Sequence, residues 1–511
     1  MDPITEYSML ERRRMFLNRC SVGLGASVLG SLLPARKIRG KEDAGSTSNA
    51  ARDRVPGTGL PGLPHFPPKA KRVIFLFMAG APSQIDLFDY KPDLEKRFKE
   101  PLPESVRGGQ RVTAMTKGRT HLVQPTMFKF AQQGQSGLWM SELLPHLSTQ
   151  ADKLCLIKSM HTDAINHDPG KTLISTGTEI PGKASLGAWL SYGLGSMNKD
   201  LPDFMVLNSA FWSGDKRNVQ ALYSRLWGTG FLPSKHQGVL LQASGDPVLF
   251  LSNPPGVDRT NRRAMLDMVS QLNQKHASEL GDPEIATTLA QQEMAFRMQA
   301  SVPELTEISA ETQQTMDMYG PEVTKTGSFA RNCLLARRMV ERGVRFVQLY
   351  HRGWDHHADL PPKMRAQCYD VDQPCAALLK DLEQRGLLED TLVVFSGEFG
   401  RTVYCQGKQE RDKYGRDHHP RCFTAWMAGG GIRGGIEHGQ TDEYSYNIVD
   451  SSGAVTTRFE DDAVHVRDLN ATILHQLGID HNRLVFPFQG LDQKLTGVNE
   501  AHVVKKILEN A

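Results

Sequence analysis

Three continuous apolar runs, each followed at once by glycine and polar residues, constrain the fold of this chain more than any other feature. They cover residues 71–78, 345–350 and 391–395. Strands that are apolar along their whole length are typical of a parallel sheet buried on both faces. A segment with helical spacing, Asp372–Gln384, lies between the second and third runs. This alternation predicts an α/β fold with a doubly wound, mostly parallel central sheet and helices on both faces.

Changes in composition predict the domain boundaries. Residues 36–70 are charged, then rich in serine and glycine, then rich in proline, which indicates a mobile linker. Residues 71–511 are expected to form the α/β domain. Within it, residues from about 204 to 325 change from short apolar runs among glycine and proline to a stretch rich in Gln, Glu, Ala and Met. We expect this part to be an inserted, irregular and helical lobe.

The first 35 residues resemble an export signal. The pair Arg13 and Arg14 precedes Phe16 and Leu17, and a mildly apolar run over 20–33 follows. This pattern is typical of a twin-arginine signal, so we expect a periplasmic or extracellular protein. The run is too short to span a bilayer as a stable anchor. No clean A-x-A cleavage site follows, so cleavage and retention as an N-terminal anchor both stay open, and membrane contact is expected only through this segment.

Charge and cysteine content exclude two broad classes. The chain has 60 Lys and Arg against 57 Asp and Glu, a formal charge of +3, spread without long runs of one sign. A nucleic-acid binder concentrates its basic residues, so nucleic acid is not expected as a partner. The 7 cysteines include no C-x-x-C pair and do not indicate a disulfide framework, and a single isolated bridge stays open.

Candidate metal ligands follow the ends of the predicted strands or lie in a later polar loop. They are Asp86, Asp355, His356, His357, Glu398 and His418. Because the carboxyl ends of parallel strands share one edge, these side chains are expected to meet there around a divalent metal. Mixed Asp, Glu and His ligation suits Zn or Mn better than Ca, although all three stay open. Adjacent side chains diverge, so Asp355 and one of the two histidines are expected to bind.

Three further residues are candidates for catalysis. His167 is expected at a helix N-terminus, where a neutral imidazole would be a metal ligand or a nucleophile. Lys171 and Arg401 are placed to hold an anionic group. The alternatives are that Asp168 is a plain helix cap with His167 in a loop, and that Arg401 is an ordinary surface side chain. Asp86 has a similar alternative as a cap of the next turn.

At these positions the chain resembles a bacterial family called domain of unknown function 1501. The resemblance covers residues from about 72 to 508, and six motifs carry it. They are Gly-Ala-Pro-Ser-Gln-x-Asp at 80–86, Gly-Trp-Asp-x-His at 353–357, Ser-x-Glu-Phe-Gly-Arg-Thr at 396–402, Gly-Arg-Asp-His at 415–418, Ala-Gly-Gly-Gly-Ile-Arg-Gly-Gly at 428–435 and Asp-Leu-x-Ala-Thr-Ile-x-x-x-Leu-Gly at 468–478. The family itself looks like a branch of the alkaline phosphatase and sulfatase superfamily. That resemblance implies a central sheet with metals at its carboxyl edge, and no known substrate.

The resemblance also shows one departure from the sulfatase pattern. The segment from His167 to Lys171 is similar in spacing to Cys/Ser-x-Pro-x-Arg, and His167 falls at the position of the nucleophile. Formylglycine chemistry is therefore excluded at that position. The prediction is an exported metal-dependent hydrolase of sulfate or phosphate esters, whose anionic substrate could be a sulfated polysaccharide. The alternative is a non-catalytic, metal-containing binding or scaffolding protein, which the missing hydroxyl or thiol favours.

Overall fold

The computed structural model describes residues 59–209, 219–242, 248, 252–253, 256–280 and 283–509, without the side chains of 274–280 and 283–287. The predicted export signal and the first part of the predicted linker lie outside these residues. The end of the predicted linker, residues 59–70, is docked on the domain instead of being a mobile connection. The main-chain nitrogens of Lys69 and Ala70 both donate to the oxygen of Gln476, at 2.9 and 2.8 Å.

A nine-stranded sheet forms the centre of the structure. Its strands in chain order are β1 Arg72–Ala79, β2 Cys155–His161, β3 Phe204–Asn208, β4 Val239–Leu241, β5 Phe346–Arg352, β6 Thr391–Ser396, β7 Phe423–Ala428, β8 Ile436–His438 and β9 Val464–His465. They are ordered β8-β2-β7-β6-β1-β5-β3-β4, and β9 pairs with β2. Only β7 runs antiparallel to its neighbours. This confirms the predicted doubly wound, mostly parallel sheet.

Ten α-helices accompany the sheet in the described part of the chain. They are α1 Gln84–Leu87, α2 Glu104–Arg107, α3 His167–Thr176, α4 Leu186–Leu194, α5 Arg259–Leu280, α6 Pro283–Thr306, α7 Gln313–Tyr319, α8 Phe329–Glu341, α9 Leu360–Gln384 and α10 Val466–Gln476. None of the described helices combines the length and apolar character needed to cross a membrane.

Both faces of the sheet are covered, as the apolar runs predict. In β1, Ile74 and Leu76 point into a core formed with α8 and α9. Their neighbours Phe75 and Phe77 point into a second core, formed with α3, α4 and α10. The period-two alternation of side chains along a strand therefore divides a continuous apolar run between two helical layers.

Four short antiparallel pairs lie outside the sheet. They are Phe130–Gln133 with Leu138–Ser141, Gly400–Gly407 with Tyr414–His419, Gln440–Thr441 with Ile448–Val449, and Phe486–Phe488 with Leu491–Gln493. The second pair, which we call the 400–419 hairpin, follows β6 directly and contributes to the site below. Its second strand occupies the segment that we expected to be a polar loop around His418.

Two other segments differ from the prediction. The expected inserted lobe begins with β3 and β4, which join the edge of the central sheet, so the excursion from the sheet begins only after β4. The helix expected from Asp372 begins 12 residues earlier, at Leu360. Pro374 resembles a first-turn proline in sequence, where the missing N–H costs no hydrogen bond. The actual first-turn proline is Pro361, and α9 passes through Pro374.

Candidate metal centre

Four side chains from three parts of the chain converge at the carboxyl edge of the sheet. His167 is the first residue of α3, which follows β2; Asp355 and His357 follow β5; His418 lies in the 400–419 hairpin. One possible ligand atom from each lies within 4.8 Å of the others. The topology explains this convergence, because β2 and β5 point their carboxyl ends to the same edge.

The carboxylate of Asp355 lies at the centre of the group. Its Oδ1 atom is 2.8 Å from Nε2 of His357, 3.2 Å from Nε2 of His167 and 3.3 Å from Nε2 of His418. All three imidazoles therefore present the same ring nitrogen to one oxygen. The side chains of His357 and His167 remain 22% and 12% exposed, so the cluster is open on that side.

Each of the three imidazoles forms a hydrogen bond through Nδ1, on the side of the ring that faces away from Asp355. The three partner oxygens are Oε1 of Glu398 for His167 at 2.6 Å, Oε1 of Gln406 for His357 at 2.6 Å, and the main-chain oxygen of Ile165 for His418 at 2.8 Å. A carboxylate, an amide oxygen and a carbonyl oxygen can only accept, so Nδ1 carries the proton in every ring. Neutral imidazoles in this tautomer direct the lone pair of Nε2 into the cluster.

This donor set fits a metal ion. Three lone pairs and a carboxylate oxygen face one another, and Nε2 of His167 has no hydrogen-bond partner among the described residues. Four acceptors at this separation repel one another unless a cation lies between them. Histidine nitrogens backed by carboxylate or carbonyl oxygens are the usual arrangement around zinc and similar metals.

The histidine pKa values reflect these surroundings. Burial lowers the pKa of His418 to about 4, with the charge of Arg401 acting in the same direction. Burial also lowers the pKa of His167, but the nearby carboxylates of Asp355 and Glu398 outweigh it and raise that pKa. His167 is therefore the imidazole whose charged form the two carboxylates favour.

Close approaches of the main chain hold the cluster together. Gly80, which follows β1 and has a φ of +112°, lies so near the main chain of Asp355 that a Cβ atom would be 2.7 Å from the nitrogen of Asp355. Gly415 of the hairpin has no room either, because a Cβ atom there would be 2.0 Å from the carbonyl of His357. Only glycine fits at these two points.

Glu398 lies in the layer behind the metal ligands. Its carboxylate is fully buried and accepts from Nδ1 of His167 at 2.6 Å. The main-chain nitrogen of Gly80 donates to both carboxylate oxygens, at 2.9 and 3.2 Å. Burial raises its pKa, but the hydrogen bond and charge of His167, together with the charge of Lys171, lower it overall. The structure thus separates Glu398 from the cluster of possible ligand atoms and makes it the residue that orients His167.

Arg401 also has a position different from the one expected. It is buried, and its guanidinium donates to Oδ1 of Asp355 at 2.7 Å and to the main-chain oxygens of Ala81, Gly80 and Arg416. Burial raises the pKa of Asp355, but Arg401 and the three histidines hold that pKa well below its ordinary range. Arg401 therefore fixes the carboxylate at the centre of the cluster and does not face an incoming anion.

The structure places Asp86 outside the cluster, in an ion pair with a second buried arginine. Nε of Arg416 lies 2.7 Å from Oδ2 of Asp86, and the hydroxyls of Ser83 and Tyr414 donate to the same carboxylate at 2.5 and 2.8 Å. Both charged side chains are fully buried. The carboxylate expected as a ligand instead ties α1 to the hairpin.

The neighbouring histidines 356 and 357 point in different directions. His357 faces Asp355, whereas His356 is buried against Trp354 and lies outside the group of possible ligand atoms. Burial lowers the pKa of His356 to about 3, so it stays neutral. The divergence of adjacent side chains predicted that only one of the two would face the site.

Lys171 is a buried cation one helical turn beyond His167, on the same face of α3. Its ammonium donates to the oxygen of Ala221 at 2.5 Å, and no carboxylate of the described chain forms an ion pair with it. Burial lowers its pKa, partly opposed by the charges of Glu398 and Asp168. Within the described residues, the main-chain oxygen of Ala221 is the hydrogen-bond acceptor that the ammonium contacts.

Sequence reasoning missed the residues that support the ligands. Gln406 holds His357, and Gln220 donates to Oδ2 of Asp355 at 2.9 Å. Glutamine in a strand or a loop has no pattern that marks it as a partner of histidine. Gln406 could have been found only by first predicting the 400–419 hairpin, which brings Gly400–Gly407 beside the strand of His418.

The fold and this cluster define an α/β protein with a candidate metal centre at the carboxyl edge of its sheet. The chain belongs to the family described as protein of unknown function (DUF1501), whose model matches residues 70–508. No curated protein matches the sequence.

Among solved structures, the fold is similar to that of phosphatases and sulfatases. The PsFucS1 sulfatase from Pseudoalteromonas sp. matches with 12% identity over 80% of this chain and 68% of its own, at a TM-score of 0.32. A protein of the alkaline phosphatase superfamily from Vibrio parahaemolyticus is 10% identical over 81% of this chain and 68% of its own length, at a TM-score of 0.33. The alkaline phosphatase of the Antarctic bacterium TAB5 is 11% identical over 72% of this chain and 95% of its own length, at a TM-score of 0.25. Such low values carry no argument about activity.

Proposed function

We propose that this protein is an exported metal-dependent hydrolase of sulfate or phosphate esters. One observation carries the proposal: three imidazoles, each fixed by an oxygen on Nδ1, direct Nε2 towards the carboxylate of Asp355. A site of three histidines and one carboxylate that is open on one side suits a catalytic metal better than a closed structural one. The metal identity stays open among Zn, Mn and Ca, and nitrogen ligands favour Zn or Mn.

The residues of the chain have distinct proposed tasks. His167, Asp355, His357 and His418 would hold the metal. When bound, a divalent metal would polarise the ester and lower the pKa of a water molecule. Lys171, a buried cation on the same face of α3 as His167, would bind the negative charge of the sulfate or phosphate group. His167, the candidate nucleophile of the sequence, serves as a ligand in this proposal.

The remaining candidates act on the ligands and not on the substrate. Arg401 would hold Asp355 against the repulsion of three lone pairs, and Glu398 would keep the proton of His167 on Nδ1. Asp86 and His356 would stabilise the fold around the site.

A panel of aryl phosphate and aryl sulfate esters tests this proposal. Protein loaded with Zn²⁺ or Mn²⁺ should hydrolyse at least one ester. A chelator should abolish this hydrolysis, and re-addition of the metal should restore it. The variant His418→Ala should lose both the bound metal and the hydrolysis of the ester. Metal-loaded protein that hydrolyses none of the esters would contradict the proposal.

A non-catalytic metal-binding or scaffolding protein is the second candidate. The observation that favours it is the imidazole of His167, which directs its free nitrogen into the cluster from the position where the sulfatase pattern has a nucleophile. Stoichiometric metal without turnover of any ester would support this candidate.

Export is proposed from the sequence, since the N-terminal residues lie outside the described chain. Replacing Arg13 and Arg14 by lysine should retain the protein in the cytoplasm of a host with a twin-arginine pathway. An unchanged distribution between the cell fractions would contradict a twin-arginine signal.

A further inference from the structure

A half-exposed aromatic ring lies next to the metal cluster. Tyr223 is 45% exposed, just before the 3₁₀ helix Ser224–Trp227. Large aromatic side chains are usually buried, and among those of the described chain only Tyr369 and Phe488 are also exposed. An aromatic ring left open beside a candidate site suggests a surface that a ligand covers.

Two contacts tie the segment of Tyr223 to the metal cluster. Gln220 donates to Asp355, which is the central carboxylate of the cluster. Lys171 donates to the oxygen of Ala221. The ammonium of Lys171 also lies 6.0 Å from the centre of the Tyr223 ring. The aromatic ring is thus adjacent to the cation that would bind the ester's negative charge.

A charged pair completes the surface around the ring. The guanidinium carbon of Arg225 lies 4.3 Å from the ring centre of Tyr223, and Arg225 forms an ion pair with Asp168. The side chain of Asp168 is 55% exposed, so its carboxylate can accept further hydrogen bonds. The guanidinium covers part of the ring, and the ring is still almost half exposed. An apolar surface, a partly buried donor and an exposed acceptor therefore lie side by side.

We propose that Tyr223, Arg225 and Asp168 form a subsite for a carbohydrate ring, so that the substrate is a sugar sulfate or sugar phosphate. The C–H face of a sugar ring would pack on the aromatic ring, while its hydroxyls would donate to the carboxylate and accept from the guanidinium. An ester group on that sugar would reach Lys171 and the metal cluster. This inference rests on the proposed function, because it names the substrate class of the same site.

Binding measurements test the subsite separately from turnover. Saturation-transfer NMR and titration would compare glucose 6-phosphate and glucose 6-sulfate with the acyclic glycerol 3-phosphate and with phenyl phosphate, on the full metal-loaded chain. We expect saturation of the sugar-ring protons and a preference for the sugar esters over glycerol 3-phosphate of about tenfold, the range of one aromatic packing contact. Tyr223→Ala should reduce this preference to about twofold or less.

The matched control is Tyr369→Ala, which removes another exposed tyrosine, 59% exposed on α9. It should keep the preference of the wild type. The subsite is overturned if no sugar ester binds to the wild type, if Tyr223→Ala keeps the preference, or if phenyl phosphate binds better than the sugar esters. Preference for sugar esters without hydrolysis of any of them would support the subsite and contradict the hydrolase, so the two proposals can fail separately.

Discussion

The Nδ1 proton of His167 is donated to Oε1 of Glu398 over 2.6 Å, and this hydrogen bond leaves Nε2 of the same ring without a proton in the metal-binding state. The main-chain nitrogen of Gly80 donates to both oxygens of the same carboxylate. The residue that follows β1 therefore helps to position Glu398, which sets which ring nitrogen of His167 faces the cluster.

The first prediction concerns Glu398. Glu398→Gln removes the charge and allows the amide to present a donor to Nδ1, so that the preferred tautomer of His167 is lost. Affinity for Zn²⁺ should fall about 10- to 100-fold, as is usual for partners behind a ligating histidine. Competition with a chromophoric chelator measures this affinity. Glu389→Gln, at an exposed carboxylate, is the matched control and should bind as the wild type does. Equal affinity in both variants would contradict the proposed role of Glu398.

The second prediction separates the adjacent histidines 356 and 357. His357→Leu removes an imidazole that faces Asp355 at 2.8 Å, so metal content should fall from one ion per chain to near zero. His356→Leu replaces a buried neutral ring of similar volume and should leave metal content unchanged. Elemental analysis of the folded variants checks both. The reverse pattern would show that His356 is the ligand.

The third prediction concerns the buried pair of Asp86 and Arg416. Asp86→Asn leaves the guanidinium of Arg416 buried without a charged partner, and the free energy of unfolding should fall by about 3–5 kcal/mol. Metal content per folded chain should not change, because Asp86 lies outside the cluster. Chemical denaturation and elemental analysis measure the two quantities. Loss of metal at unchanged stability would instead identify Asp86 as a ligand.

The fourth prediction is the pH dependence that this pair produces. Burial raises the pKa of Asp86, but the charge and hydrogen bonds of Arg416 outweigh it, so the folded-state pKa is lowered. A lowered pKa means that the stabilisation is present above the unfolded value of about 3.9 and is lost as the pH falls towards the folded value. Between pH 6 and pH 3, Asp86→Asn should therefore lose less stability than the wild type. Urea unfolding across this range measures the difference, and equal losses would contradict the assignment.

The sheet edge could be predicted because its signal is local. The runs before Gly353 and Gly397 are mainly apolar, so the sequence indicates buried parallel strands and places Asp355 and Glu398 beyond their carboxyl ends. The divergence of neighbouring side chains also predicted a single inward histidine at 356 or 357.

The roles of the same residues depend on distant partners and could not be predicted. Asp86 follows a strand end as a ligand would, but its carboxylate forms an ion pair with Arg416, which lies 330 residues away in the sequence. Glu398 lies behind His167, 231 residues away, and a carboxylate in that layer has the same sequence signature as a ligand. Such pairings depend on which elements the fold brings together, which a single sequence does not encode locally.

Anomalous diffraction at a metal absorption edge, on crystals of metal-loaded protein, would locate the bound ion. We expect one peak about 2.0–2.1 Å from Nε2 of His167, His357 and His418, with an oxygen of Asp355 at about 2.0–2.2 Å. A peak coordinated by Asp86 or Glu398, or crystals of folded protein that take up no metal at this edge of the sheet, would contradict it.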